Sequence, residues 1–488
     1  MNEPISLFAP EIPPGLANPA KRGMDKPNKK FIILVSAVAA LGGLLFGFDT
    51  AIISGAIPYI STYFSLNEYM LGWAVSSILI GCAAGAMASG KLADRYGRKF
   101  MLIICAILFA VSGIGAGLAN ELWLFILFRF IGGLGVGAAA MVSPMYIAEI
   151  APAKWRGRLV AFYQLAIVVG ILLAYYSNYA LNGIGENNWR WMFASQAAPS
   201  LLFLLLLLLV PETPRWLIRR GQTGPARAIL IKTSGIDAAQ KEIAAIENSF
   251  HREQQASFGQ LFGKIYRPVL LIGIMIAVFQ QVTGINSILY YAPVIFKETG
   301  LNSASSLLQT ICVGVVNVVS TFIAIGLVDK VGRRKFLLAG SLAMGVSLLV
   351  VALCFQYRYF DHYIVLIFML LYVGAFGCTL GAVTWVYLSE IFPNRIRGLA
   401  LSVATLALWL ADFVVTYTFP VMTKHLSIAT TLFCYAALCA VAFGYMLSNV
   451  KETKGRSLEE IETLFASSRL PHPASPPAPL LKERGELK

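Results

Sequence analysis

Apolar residues run in long unbroken stretches along most of the chain, and the polar positions are gathered between them. Phe31 to Ile57 and Met101 to Leu118 are two such stretches, and Ser200 to Val210 with the turns before it is a third. A helix that crosses a bilayer needs about 20 predominantly apolar residues, because each adds about 1.5 Å toward a hydrocarbon layer about 30 Å thick. Reading along the chain gives about six spanning segments before residue 211 and about six after residue 267. The pattern predicts an all-α membrane protein with about twelve transmembrane helices in two six-helix halves. The longest polar interruption, Pro211 to Tyr266, mixes Ala, Ile, Glu and Lys and predicts short amphipathic helices between the halves. The expected organisation is an N-terminal segment 1–30, a first half 31–210, a helical linker 211–266, a second half 267–450 and a tail 451–488 with a Pro-rich stretch at Pro471 to Pro479.

Composition agrees with lipid as the solvent. The chain is 57% hydrophobic and only 13% charged, against roughly 25% charged residues in a soluble domain. Its net charge of +14 does not point to nucleic acid, because the basic residues lie in short connections rather than on one domain. Clusters at Lys21 to Lys30, Lys91 to Lys99, Lys154 to Arg158, Arg215 to Arg220, Lys330 to Lys335, Arg395 to Arg397 and Lys451 to Arg456 alternate with connections poor in Lys and Arg. That alternation predicts a multi-pass plasma membrane protein, in the inner membrane if the cell is bacterial, with both termini and the linker in the cytoplasm. The first thirty residues carry prolines and no apolar core, so they do not read as a cleaved secretory signal. The seven cysteines sit in or beside apolar runs without metal-ligand spacing and read as buried free thiols. His251, His362, His425 and His472 fall in predicted loops or tails, which argues against a histidine proton relay. Without a Gly-rich phosphate loop, a metal cluster or a Ser/His/Asp arrangement, the chain is not expected to be an enzyme or to bind a cofactor.

Two charged motifs recur. Gly90-Lys-Leu-Ala-Asp-Arg-Tyr-Gly-Arg-Lys99 matches Ile325-Gly-Leu-Val-Asp-Lys-Val-Gly-Arg-Arg334, pairing Asp94 with Asp329 and Arg98 with Arg333 at one common offset. Ala148-Glu-Ile-Ala-Pro-Ala-Lys-Trp-Arg-Gly157 matches Ser389-Glu-Ile-Phe-Pro-Asn-Arg-Ile-Arg-Gly398, pairing Glu149 with Glu390 and Arg156 with Arg397. Parallel repeats of six helices belong to transporters in which one half rocks against the other. Topological anchoring alone would explain the Lys and Arg but not acidic residues and glycines at fixed places. These eight residues are expected to form charge-assisted gating bonds at the cytoplasmic helix ends, closed when the carrier faces outward and broken when it faces inward.

Amides and hydroxyls grouped with aromatic rings inside a span, near the bilayer midplane, suit a small neutral solute that hydrogen-bonds. The seventh span, Phe279-Gln-Gln-Val-Thr-Gly-Ile-Asn-Ser-Ile-Leu-Tyr290, supplies such a set. One face of a continuous helix cannot present Gln280 and Gln281 together with Asn286 and Tyr290, since each residue turns about 100°. Thr283-Gly284 between them predicts a break, which membrane depth tolerates only at a cavity. Asp49 and Arg129 are charges inside predicted spans, each costing about 2.5–3.5 kcal/mol at a helix centre, so they are expected to be paired and functional, with a static ion pair as the alternative.

The chain resembles, from about Leu41 to about Glu460, the sugar porter family of the major facilitator superfamily, on the two repeated motifs together with Pro211-Glu-Thr-Pro-Arg-Trp216 and Lys451-Glu-Thr-Lys-Gly455 at the ends of the halves. Within it, Gly42-Gly-Leu-Leu-Phe-Gly-Phe-Asp-Thr50 is similar to the bacterial D-xylose:proton symporter type. The resemblance implies the major facilitator fold and a proton-coupled monosaccharide symporter that works by alternating access as a monomer on a pentose or hexose. It also implies Gln164, Gln280, Gln281, Asn286, Asn317 and Trp385 as sugar contacts, with Phe46, Tyr290, Gly381 and Trp409 around them. Amides that pack helices together are the alternative for any single one of these. The position of Asp49 is acidic in proton-coupled members and a neutral amide in facilitative ones, so it favours symport, with a facilitative uniporter and a non-transporting sensor as the other readings. Two departures stand out. Leu408 replaces an amide that the family commonly has before Trp409, and Asp412 stands where relatives often carry Asn, either as a second titrating group or as a hydrogen-bonded bystander.

Overall fold

The computed structural model describes residues 27–252, 258–263, 265–360, 363–393, 395–456, 460–461 and 465; the segment before residue 27 and the Pro-rich stretch of the tail lie outside them. The first half comprises α1 (Lys29–Tyr63), α2 (Glu68–Tyr96), α3 (Arg98–Leu118), α4 (Leu122–Ile150), α5 (Arg156–Leu181) and a sixth span made of α6 (Asn188–Ala194) and α7 (Ala197–Leu209). The linker holds α8 (Pro214–Arg219), α9 (Thr223–Ser234), α10 (Ile236–Arg252) and α11 (Phe258–Leu261). In the second half α12 (Arg267–Val282) and α13 (Ile285–Lys297) form the seventh span. They are followed by α14 (Ser303–Val331), α15 (Arg333–Gln356), a tenth span of α16 (Ile364–Cys378) and α17 (Leu380–Ile391), α18 (Arg397–Leu426) and α19 (Ile428–Asn449). Twelve of these spans are long and apolar enough to cross a membrane, six on each side of the linker.

Local chemistry sets where these helices begin. Asn28, Asn67 and Asn302 accept the amides of Phe31, Met70 and Ser305, three residues on, in N-cap bonds that satisfy donors the first turn would leave unpaired. The turn from α2 into α3 is made by Gly97 at φ 106°, and its repeat, from α14 into α15, by Gly332 at φ 100°. A β-carbon at either would also strike a carboxylate, that of Glu212 or Glu452. Small residues let spans approach closely, which stands in for the hydrophobic drive that lipid does not supply. Gly47 of α1 lies on the backbone at Ile167 of α5, and Gly170 of α5 on the backbone at Leu44.

The halves meet through α2 against α18, α5 against α14 and α1 against α13. Trp73 and Phe413 stack edge to face at 5.7 Å, and the Tyr175 hydroxyl donates to the Leu289 carbonyl at 2.9 Å. At the face opposite the linker, His425 pairs with Glu68 at 3.2 Å. His425 sits in the last turn of α18, a correction to its expected loop position, because the apolar run before it lets the helix continue to Leu426. A cavity of about 870 Å³ opens between the halves at this face, lined by residues such as Glu68, Tyr291, Arg358 and Lys424.

Candidate substrate and proton sites

The polar side chains of the second half converge on the seventh span. α12 ends at Val282, and Gly284 takes a left-handed backbone (φ 91°, ψ 10°) before α13 begins at Ile285, a conformation that only glycine adopts at little cost. The expected break is therefore present. In a continuous helix Gln281 and Asn286 would stand about 140° apart; across the break Asn286 Nδ2 donates to Gln281 Oε1 at 3.0 Å. Gln280 Nε2 donates to the Leu380 carbonyl at 2.9 Å. That carbonyl adjoins a second break, at Thr379 (φ −125°, ψ −93°) between α16 and α17.

Asn286 Nδ2 also donates to Asp412 Oδ2 at 2.7 Å, and the Thr416 hydroxyl donates to Asp412 Oδ1 at 3.2 Å. Asp412 is thus joined to the candidate sugar cluster and is fully buried. Beside it, Trp409 and Phe46 bring an aromatic pair across the halves, with ring centroids 5.7 Å apart, and Trp409 Nε1 is a buried donor with no partner among the described residues. Tyr290 is buried within electrostatic reach of Asp412 and Arg129. Gly381 is buried at the start of α17, and Asn317 is nearly buried on α14, its side-chain oxygen beside Gly377. Gln164 is half-buried on α5 and Trp385 is 38% exposed on α17; no hydrogen bond joins either to the cluster among the described residues. Leu408 is buried and gives the site no polar atom. The set combines amide and indole donors, carbonyl acceptors and ring faces, which suits a neutral polyol.

In the first half, Asp49 of α1 and Arg129 of α4 are fully buried. Arg129 Nη1 donates to Asp49 Oδ1 at 2.6 Å and to the Asp49 carbonyl at 3.0 Å. The pair is incompletely satisfied: Arg129 Nε and Arg129 Nη2 are buried without partners among the described residues. Two neighbours escaped the sequence reading. Gln196, in the break between α6 and α7, lies beside Asp49 and donates to the Phe109 carbonyl at 3.2 Å. Gly132 leaves room for the Asp49 carboxylate and the Ser112 hydroxyl, which a β-carbon there would strike. A lone amide in an apolar run was the available signal for Gln196.

At the linker face the repeated charges pair inside each half. Arg98 bridges Asp94 at 3.0 Å and Glu149 at 3.1 Å, and Arg219 reaches Asp94 at 3.2 Å. Arg333 bridges Glu390 at 2.8 Å, whose other oxygen accepts from the Thr453 hydroxyl at 2.6 Å. Arg156 is exposed at the start of α5 without an ion pair among the described residues, and Arg397 donates to the Phe392 carbonyl at 3.2 Å. The side chain of Asp329 lies outside the described residues.

Comparison with known proteins bears on this geometry. A family model described as "Sugar (and other) transporter" matches residues 35–465. The chain is 41% identical to the arabinose-proton symporter of Bacillus subtilis, over 89% of this chain and 95% of that protein. It is 42% identical to the D-xylose-proton symporter of Escherichia coli, over 90% and 96%. Among solved structures it is similar to the xylose transporter XylE from E. coli in an inward open conformation, with a TM-score of 0.80 and 41% identity over 89% of this chain and 100% of that one. The same transporter bound to 6-bromo-6-deoxy-D-glucose gives a TM-score of 0.76 at 41% identity, over 90% and 100%.

Proposed function

The chain belongs to the sugar transporter family, and on that premise we propose which residues carry its work; it is a multi-pass membrane carrier, a proton-coupled sugar symporter with the major facilitator fold and alternating access, and not an enzyme. Its sugar site is formed by Gln280, Gln281 and Asn286 at the broken seventh span. Phe46, Tyr290 and Trp409 surround them, and Gln164, Asn317, Gly381 and Trp385 come from the facing helices. The proton is carried by Asp49, with Arg129 as its counter-charge.

One observation carries the proton assignment. A fully buried carboxylate and guanidinium on two different spans share a single short side-chain bond, and the guanidinium Nε and Nη2 find no partner among the described residues. A pair built for stability alone would satisfy those atoms, since burying charge is repaid only by complete bonding. A pair that parts and rejoins in a transport cycle leaves them free.

The linker face is the cytoplasmic face of a plasma membrane, with both termini on that side, because the basic clusters gather there. At that face Glu149 and Glu390 are paired within their own halves, while contacts such as Glu68 with His425 join the halves on the opposite side. The substrate is a monosaccharide, pentose or hexose, and the functional unit is one chain.

Uptake of labelled pentoses, hexoses and inositols into proteoliposomes, with and without a pH gradient, tests this reading. Accumulation of one pentose or hexose above its external concentration, only with the gradient, is expected. Equilibration with no response to the gradient would make the chain a uniporter, and no uptake of any sugar would remove the transport assignment.

A further inference from the structure

Asp412 is, with Asp49, one of two fully buried carboxylates among the described residues of the spans, and it lies in the half that does not contain Asp49. No ion pair to it exists among the described residues. Both of its oxygens are instead met by neutral donors, Thr416 on its own helix and Asn286 on α13.

The donor inventory of Asn286 makes this contact specific. With Asp412 ionised, and so only accepting hydrogen bonds, the Asn286 atom 2.7 Å from it is the nitrogen. That nitrogen has two hydrogens, and the second goes to Gln281 Oε1 at 3.0 Å. Gln281 in turn directs Nε2 toward Gln280 Oε1, and Gln280 donates to the Leu380 carbonyl. The row of amides is therefore polarised, held at one end by a backbone carbonyl and at the other by Asp412. Asn286 Oδ1 makes no hydrogen bond among the described residues, and Asn286 is only half-buried, so its carbonyl oxygen is the atom left for a ligand.

We propose that Asp412 is a positioning residue for the sugar: ionised, it holds the Asn286 amide so that a carbonyl oxygen faces the substrate hydroxyl, and protonated, it lets that amide turn over. The step balances simply. A proton from water forms an O–H bond on Asp412; the Asn286 amide turns over, its nitrogen giving up its bonds to Asp412 and to Gln281 Oε1, and its Oδ1 accepts from the new Asp412 hydroxyl and from Gln281 Nε2, which leaves its 3.5 Å contact with Gln280 to reach it. An acceptor for the sugar is exchanged for a donor. The cation–anion pair at Asp49 plays no part in the exchange, so the chain has two places where protonation meets transport, one in each half.

The titratable groups around Asp412 do not substitute for it. Cys82 on α2 and Tyr290 on α13 lie within its electrostatic reach. On α19, the Tyr435 hydroxyl reaches the Val415 carbonyl instead. On α17, Glu390 is engaged by Arg333 and Thr453, and Tyr387 accepts from the Lys451 amide. On α12, the side chains nearest the cluster are the uncharged Gln280 and Gln281.

This inference rests on the sugar-site reading above, and one set of measurements separates the two. Binding of D-xylose to the purified full-length chain is titrated between about pH 5 and about pH 9 for the wild type and for Asn286→Ala, Asp49→Asn, and Asp49→Asn with Asp412→Asn. Asn286→Ala is expected to weaken binding; if it does not, the sugar-site reading fails. With Asp49 neutralised, affinity is expected still to fall as the pH is lowered, by about threefold to tenfold, the span of one net hydrogen bond. Adding Asp412→Asn is expected to flatten that profile while binding persists. A flat profile for Asp49→Asn alone, or the same slope with both substitutions, overturns the role of Asp412. Should the double variant fail to fold, Asp49→Asn with Thr416→Val is measured instead. Removing one donor to the carboxylate must move the midpoint of the profile toward higher pH, and an unmoved midpoint overturns the proposal equally.

Discussion

Glu452 stands to α15 as Glu212 stands to α3, each carboxylate reaching across from the end of its half to close the first turn of a helix more than a hundred residues earlier. Glu212 accepts the amides of Arg98 and Lys99 at 3.0 Å each, and Glu452 those of Arg333 and Arg334 at 2.9 and 3.1 Å. An acidic group at a helix N-terminus meets both unpaired N–H groups and the positive end of the helix dipole. The internal repeat therefore extends beyond the gating loops, to the Pro211-Glu and Lys451-Glu segments that end the halves.

The two glutamates differ in their balance. At Glu212 burial outweighs the backbone donors and holds the carboxyl above its ordinary range. At Glu452 burial pushes up as well, but four backbone amides outweigh it and the carboxyl lies below its ordinary range. The stabilisation from Glu452 is thus fully present above the unfolded carboxylate value of about 4.3 and is lost as pH falls through the lower folded value. For Glu212 the sign reverses, and its contribution declines as pH rises through the raised value. We expect Glu452→Gln to cost about 1 kcal/mol at neutral pH, more than Glu212→Gln, with the difference closing below about pH 4. Thermal unfolding of the two variants in detergent across pH checks this, and equal losses at every pH would contradict it.

The gating charges give a second prediction. Glu149 and Glu390 are paired within their halves, and bonds that Arg156 and Arg397 make across the linker face would hold that face closed. Arg156→Ala or Arg397→Ala is expected to raise the inward-facing population roughly two- to fivefold, the shift of about 0.5–1 kcal/mol that a partly exposed ion pair supplies. Labelling of a cysteine placed in the inward cavity reads the shift, and unaltered labelling in both variants would count against it.

How much of this was legible beforehand depended on whether the signal was local. The spans were, because lipid demands unbroken apolar runs, and so was the break in the seventh, because Thr283-Gly284 separates amides that no single face could present. The break at Thr379 was not legible, since Cys378, Thr379, Leu380 and Gly381 read as ordinary small and apolar residues of a span. Nor were the caps by Glu212 and Glu452, whose partners are distant in sequence. Asp412 showed in the sequence as a departure, but its bond to Asn286 depends on how α18 packs against the broken span.

The sugar cluster yields a third prediction. Gln281→Ala and Asn286→Ala are each expected to weaken sugar binding by about 0.5–1.5 kcal/mol, or more where the lost partner leaves a buried group unpaired. Because the two amides bond each other at 3.0 Å, the double variant is expected to lose less than the sum of the single losses. Calorimetric titration of the four proteins measures this coupling, and strictly additive losses would place the two residues in separate sites.

The last prediction concerns Asp49. Its carboxylate is held by Arg129 from another helix of the same half, at 2.6 Å and away from water. A charge in that position costs free energy unless its partner stays close, so a small change in helix packing decides between the ionised and the protonated form. Alternating access supplies such a change, and sugar bound at the facing half biases the same equilibrium. Asp49→Asn removes the titration and keeps both the side-chain shape and the oxygen that accepts from Arg129. Sugar binding and exchange between equal sugar pools should therefore persist, which also shows that the variant is folded. Accumulation driven by a pH gradient should fall to equal concentrations on the two sides of a proteoliposome membrane. If Asp49→Asn still concentrates sugar at low external pH, the coupling proton is carried elsewhere, and the buried carboxylate of Asp412 is where the same measurement moves next.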